Sequence, residues 1–375
     1  MRKTIINFCV IFLLTFYITG FSQTNRLNSK LLNSFSQSFK EFFESKGTLK
    51  LSQKKEIIGS IRSFKKDEED NVWILDSKNC NIKSYFSSGT LRFAIGGHGA
   101  GPGEYYKPWD FFISKRFIYV LDPIIYRIHV IDRKTLKFSH FLKIRDGRSI
   151  HVIDDQKIIL TAPLSIDPNV NSNRLKCLHI YNNNGVLNRS FLPLNDAAIE
   201  NQLICDSTFF CIDRNGNIFA VQEMEYKIFN YTIDGMFIRS FVTPVKHYYI
   251  PPPKKPLDKS FLQSKVKKWI GSWTHITGIH TCMEFIVVNM VNYEDQEDNY
   301  IIDVYDSKGN LIKGGLKSDY RLLNIDKEGT LYFLKDDFEN DDYVIIIKFG
   351  LKQQKKYRMK GPISVTVKLG IFIHK

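Results

Sequence analysis

The sequence predicts an all-β fold built as a closed ring of repeated four-stranded units, on three observations. A short apolar strand recurs six times: Val72–Asp76, Ile118–Asp122, Ile158–Leu160, Ile218–Val221, Phe285–Val288 and Leu331–Leu334. Each copy is rich in β-branched and aromatic residues, as a buried central strand requires. Each is preceded by one strand and followed by another, with Gly- or Asn-containing turns such as Asp213–Asn217, Asp326–Thr330 and Asp306–Asn310 at the reversals. The chain has 375 residues, 43% of them hydrophobic, enough to fill one large ring as a single unit. Four antiparallel strands per unit and six units make the pattern of a six-bladed β-propeller, with a short N-terminal helix and a helical insertion between blades four and five.

Taken in order, residues 1–22 read as an export signal. Arg2 and Lys3 form its basic start, Ile5 to Ile18 its apolar run, and Gly20-Phe21-Ser22 a small-residue cleavage site ahead of Gln23. The apolar run is short of the roughly 20 residues a bilayer span needs. Membrane association is therefore expected only if the signal stays uncleaved. Residues 23–47 form a helical segment, because Leu27, Leu31, Leu32, Phe35, Phe39, Phe42 and Phe43 fall at helical spacing. The propeller spans 48–352. Its third strands are Ile82–Phe86, Arg127–Ile131, Leu178–Tyr181, Lys227–Tyr231, Ile301–Tyr305 and Tyr343–Phe349. The sixth blade lacks a clear fourth strand. Either Thr48–Leu51 or the alternating tail Ile363–His374, within the C-terminal segment 353–375, can supply it and close the ring.

One segment breaks the repeat. Gly96-Gly97-His98-Gly99-Ala100-Gly101-Pro102-Gly103-Glu104-Tyr105 cannot lie within a helix or strand and must be a shaped loop. With Pro108-Trp109-Asp110 and the strand Ile118–Asp122 after it, the stretch resembles the NHL-repeat family of six-bladed propellers. In that family a Gly-x-Gly-x-Gly-Pro-Gly-Glu-aromatic loop joins two blades. The resemblance implies that the loop is architectural, that Glu104 caps turn N–H groups and that Tyr105 packs between blades. It names no ligand, because propellers host many unrelated functions.

Strand order places the loop after each fourth strand and the loop between strands two and three on one face. The glycine loop emerges there, as do the insertion 243–275 and the loops 167–174, 293–299 and 336–342. Long irregular loops in a compact domain carry function more often than short turns do, so this face is expected to bind. In the insertion, Pro251-Pro252-Pro253 is an extended spacer. Asp258 opens a helix with Leu262, Val266, Trp269 and Ile270 on its apolar side and Gly271 as its stop. Two readings stand for it: a basic lid, or a plug over a gap in the ring. The residues expected to contact a ligand are His98, Glu104, Trp109, His247, Tyr248, Trp269 and Trp273.

The formal charge is +14 and falls by two if 1–22 are removed. The lysines are spread along the chain without an Arg/aromatic recognition module, so no nucleic-acid partner is expected. Five cysteines lie beyond residue 22, with no CxxC spacing, so no zinc site is expected. A Cys205–Cys211 disulfide and separately buried thiols are both open. The acidic loops offer hard oxygens for calcium but lack its spaced ligand pattern, so no metal or other cofactor is expected, with calcium the one to consider. No nucleophile elbow or HExxH appears. The expected function is a non-catalytic binding module of the cell envelope, exported to the periplasm or secreted, with a protein, peptide or glycan as its partner. The alternative is a metal-dependent propeller enzyme of the lactonase or lyase kind, drawing on Asp110, His151, Asp206 and His280 at the inner-strand starts.

Overall fold

The structure, a computed structural model, describes residues 35–144, 146–162, 175–201, 207–242, 248–254, 268–294, 297–334 and 342–352. The export signal, the loop 167–174, His247, most of the insertion helix, most of the loop 336–342 and the tail 353–375 lie outside the described residues.

Among the described residues, 24 strands form six four-stranded antiparallel sheets. Blade one is β2 (Ile61–Lys66), β3 (Val72–Asp76), β4 (Asn81–Tyr85) and β5 (Leu91–Gly96). Blade two runs β6 (Asp110–Ile113) to β9 (Phe138–Lys143), blade three β10 (Ser149–Ile153) to β13 (Leu187–Pro193), and blade four β14 (Thr208–Ile212) to β17 (Phe237–Val242). Blade five is β18 (Thr274–Cys282), β19 (Phe285–Glu294), β20 (Glu297–Asp306) and β21 (Leu311–Ser318). Blade six takes β22 (Arg321–Ile325), β23 (Leu331–Leu334), β24 (Tyr343–Leu351) and, from the other end of the chain, β1 (Phe43–Ser52). The N-terminal strand thus closes the ring, pairing antiparallel from Phe43↔Leu351 to Ser52↔Tyr343 around a bulge at Ser45/Gly47. It begins at Phe43, five residues before Thr48, and the described part of the helical segment before it is α1 (Gln37–Phe42), capped by Ser36. Phe39 and Phe43 serve both elements, filling the seam between blades five and six.

The second strands are mostly apolar because their centres are buried on both sides. Alternate side chains enter alternate seams: Trp73 and Leu75 pack toward blade two, Val72 and Ile74 toward blade six. The pattern repeats at every blade, giving one apolar cluster per seam and six in all. The residue ending the second strand clasps the incoming loop. Asp76 accepts from the N–H groups of Gly59 and Ser60, Asp122 from Tyr106 and Lys107, Thr161 from Ser149, and Gln222 from Asn195. In blade five Asn292, two residues before the end of β19, donates to Tyr248 O in the same region.

Two loop expectations change. Strands β19 and β20 extend into the expected loop 293–299, with Asn292 paired to Asn299, Tyr293 to Asp298 and Glu294 to Glu297. The described insertion residues pack into the ring. Tyr249 enters the seam between blades four and five, and Trp269 and Trp273 the seam between blades three and four. Every described cysteine (Cys80, Cys177, Cys211, Cys282) is a free thiol. Among the described residues no helix is long and apolar enough to cross a membrane.

Candidate functional site

The first strand of each blade lies nearest the axis, where neighbouring first strands approach one another. Their N-terminal ends open on the face bearing the glycine loop and the insertion, so the residues at or just before those ends ring the channel mouth. Blade one contributes Arg62, blade two Trp109 and Asp110, blade three Arg148, blade four Ser207 and Thr208, blade five Thr274 and His275, and blade six Arg321.

Three of these are arginines, and they converge. The Arg62 guanidinium carbon lies 4.4 Å from the centroid of the Trp109 indole, and that of Arg148 lies 5.1 Å from the same ring. Arg62 Nε donates to Trp109 O at 3.1 Å, Arg148 Nη1 to Ser207 Oγ at 2.6 Å, and Arg321 Nη2 to Ile61 O at 2.8 Å, beside Arg62. Burial pulls the Arg62 pKa below its ordinary value; Asp110 opposes this, while Arg148 and Arg321 add to it. Asp110 itself is held by Ser63 Oγ (2.7 Å), by the Ile150 N–H (3.0 Å) and by Lys65 Nζ (3.6 Å). On the opposite side Glu223 accepts from His275 Nδ1 at 2.8 Å and, more weakly, from the Ser207 N–H.

His151 and His280 border the channel below this ring. Burial, then the charge of Lys65, lowers both to about 4. Both are therefore neutral at pH 7. His151 packs on Phe112 at 4.5 Å. Asp206 lies outside the described residues. Among the described residues no group of three or more His, Cys, Asp or Glu is placed to hold a metal.

Of the described residues singled out from sequence, Trp109 and, from the enzyme alternative, Asp110 belong to this ring. His98 is exposed at the glycine-loop tip, 5.4 Å from the Tyr106 ring. Glu104 accepts the Gly101 N–H at 3.1 Å, the capping role that the loop resemblance implied, and Tyr105 is fully buried between blades one and two. Tyr248 donates to Asp303 at 2.8 Å, joining a buried network with Tyr226 and Tyr305. Trp269 (6% exposed) donates to Pro253 O, and Trp273 (1% exposed) stacks on His275 at 3.5 Å. Both indoles sit inside the ring rather than on its surface, packed in one apolar cluster with Met224 and Leu194. Sequence reading passed over the three arginines because it searched the inner-strand starts for catalytic and metal-binding types. Arg62, Arg148 and Arg321 occupy those positions.

Residues 31–159 match a family described as DUF5128, a 6-bladed beta-propeller. No curated protein matches the sequence. Solved structures with the same fold include a member of the DUF4221 family from Bacteroides vulgatus. It is 11% identical with TM-score 0.63, covering 83% of this chain and 98% of that one. A candidate exported protein from Bacteroides fragilis is 13% identical with TM-score 0.62, covering 84% and 96%. A virginiamycin B lyase from Staphylococcus aureus aligns at TM-score 0.48 and 11% identity, over 78% and 80%. The chain is a six-bladed β-propeller, and at these identities the likeness speaks of fold alone.

Proposed function

We propose that this protein is a non-catalytic binding module of the cell envelope that takes its ligand at the channel mouth on the irregular face. One observation carries the reading: two guanidiniums lie against a single indole at the mouth, with a third beside them. Aromatic and arginine side chains in that arrangement are the types that dominate recognition surfaces. The residues assigned to the site are Trp109, Arg62, Arg148 and Arg321. His98 and Tyr106 extend the same face, and the NHL-type junction loop supports its placement. Export is read from residues 1–22, and the Bacteroides fragilis neighbour described as a candidate exported protein agrees with it.

The site is tested by screening ligands through thermal shift against the native chain and Trp109→Ala. A ligand of the mouth stabilises the first and not the second; equal stabilisation of both moves the site elsewhere. Chelator is expected to leave the melting temperature unchanged, and a chelator-sensitive transition would restore the metal-dependent alternative. N-terminal sequencing of protein recovered from its native compartment should begin at Gln23, whereas an intact Met1 would show that the signal is retained.

A further inference from the structure

Each blade has an outer strand with one edge turned away from the sheet, and such edges invite pairing unless lysines, prolines, bulges or a covering element blunt them. Most of the outer strands carry such devices. β1 has exposed Lys46 and Lys50 beside its bulge, β9 has exposed His140 and Lys143, and β13 ends in exposed Pro193. β21 contains Lys313, Lys317 and the pair Gly314-Gly315, and Phe35 bridges its end at Ser318. β5 exposes no large apolar side chain. β17 differs. It has no lysine, proline or glycine, and it exposes Phe237 (59%), Ile238 (45%) and Val242 (67%). Its one charge does not guard the edge: the Arg239 guanidinium donates to Ser307 O of blade five at 2.6 Å and lies 5.6 Å from the Phe241 ring. Its pairing irregularity, opposite Asn230/Tyr231, falls at its start and leaves 238–242 regular. Among the described residues no further strand pairs with it.

We propose that two copies of this chain pair through β17, antiparallel and about a two-fold axis at Ser240. The occupant follows from the register. Residues directly opposite in an antiparallel pair share a face, so a two-fold axis normal to the sheet must fall on a residue. Centred on Ser240, it sets Ile238 opposite the partner subunit's Val242, Arg239 opposite the partner subunit's Phe241, and Ser240 opposite its own copy. The two exposed aliphatic side chains then cover each other twice over, and each guanidinium meets a second aromatic ring. Centring on Arg239 instead sets two guanidiniums opposite each other and Ile238 against a serine, which like-charge repulsion disfavours. A foreign strand would meet the backbone equally well; the matched side chains are what a second copy supplies. The contact lies on the circumference, so it leaves the mouths open and does not depend on any ligand there. It is one strand long, at the small end of interface sizes, so the dimer is weak and concentration-dependent.

Sedimentation velocity on the native chain, from low to high micromolar concentration, should show a monomer–dimer equilibrium. Val242→Lys puts a charge on the edge at a largely exposed position, and should leave the protein monomeric over that range with its melting temperature within about 3 °C. Disulfide trapping reads the register. Opposite residues of an antiparallel pair have Cα atoms about 4.5–5.5 Å apart, within disulfide reach, whereas diagonal neighbours are about 7–8 Å apart. Under mild oxidant, Ser240→Cys should therefore give a covalent dimer on a non-reducing gel, while Arg239→Cys and the native chain should not. This readout decides the matter if Val242→Lys fails to fold. A native chain that is monomeric at every concentration, with no trapping at Ser240→Cys, overturns the pairing. Trapping through Arg239→Cys instead overturns the register. A dimer that persists in Val242→Lys moves the contact elsewhere. A dimer lost when 353–375 are deleted makes the tail, rather than a second β17, the strand on this edge.

Discussion

At the residue scale, adjacent glycines of one string carry different loads. A Cβ on Gly96 would fall 2.2 Å from Cε2 of the buried Tyr105, and its φ of +97° already disfavours any side chain; a Cβ on Gly97 would meet nothing within 4 Å. Gly96→Ala should therefore cost about 3 kcal/mol or more in denaturant unfolding, and Gly97→Ala about 0.5 kcal/mol or less. The string announced a shaped loop in the sequence. Which glycine is indispensable depends on where Tyr105 lands, and only the fold supplies that. His129 makes a second case. It is 0% exposed among Tyr105, Phe138 and Phe141, and neither ring nitrogen has a partner among the described residues. Burial, with Arg127 second, lowers its pKa to about 4. The unfolded chain, titrating near 6.5, binds the proton first, so stability is full above about pH 6.5 and declines as pH falls toward 4. His129→Phe should flatten that decline by on the order of 2 kcal/mol at pH 4 while leaving pH 7 stability unchanged or higher. A decline of unchanged slope in the variant would assign it to other groups. The ion pair of Asp76 and Lys83, both fully buried, gives an asymmetric expectation. Asp76→Ala strands an ammonium and should cost about 3–5 kcal/mol. Lys83→Met should cost less, because Asp76 keeps the N–H donors of Gly59, Ser60 and Asn79.

At the scale of elements, the second strands were readable because burial on both sides removes the polar alternation that blurs a half-exposed strand. Their clasps were half readable. Asp76 and Asp122 end strands of the same pattern, but Thr161, Gln222 and Asn292 do the same work with different chemistry. Closure was not readable, because both ends of the chain offer β-forming segments and local pattern cannot choose between them. The fold chooses β1, whose Leu49 and Leu51 enter the seam between blades six and one. A chain lacking residues 1–52 should lose its cooperative unfolding transition, since the β24 edge is then open and an apolar seam exposed. A chain lacking 353–375 should keep that transition within about 3 °C. The reverse outcome, in circular dichroism melts of both truncations, would hand closure to the tail. The extension of β19 and β20 into 293–299 also escaped the sequence reading: acidic residues there suggested a solvated loop, although backbone pairing continues to Glu294↔Glu297.

At the scale of the whole molecule, the question is whether the insertion serves the ligand or the ring. A propeller needs little chain to pass from one blade to the next: blade five reaches blade six between Ser318 and Arg321. The far longer passage from Val242 to Thr274 is thus unnecessary for connectivity, and its described contacts show what it does instead. Tyr248 is tied to Asp303 and packs over Gly314 and Gly315, Tyr249 joins the seam between blades four and five, and Trp269 and Trp273 fill the seam between blades three and four. His275, stacked on Trp273, is hydrogen-bonded at both nitrogens, Nδ1 to the Glu223 carboxylate and Nε2 donating to Ile270 O. Because a short linker can span the junction, replacing residues 243–273 with a few Gly and Ser residues removes packing without straining the ring. Truncating one buried tryptophan typically costs about 3–5 kcal/mol. Losing two of them, with Tyr249, should therefore lower the melting temperature by roughly 10 °C or more. Ligand binding at the proposed mouth site, Arg62 and Trp109, should persist in whatever fraction stays folded, since neither residue contacts the insertion in the interactions described. A deletion that melts like the native chain but loses the ligand would make the insertion a lid, with its basic residues facing the mouth. A deletion that loses stability and keeps affinity would make it a wedge between blades, and the buried positions of Trp269 and Trp273 point to that result.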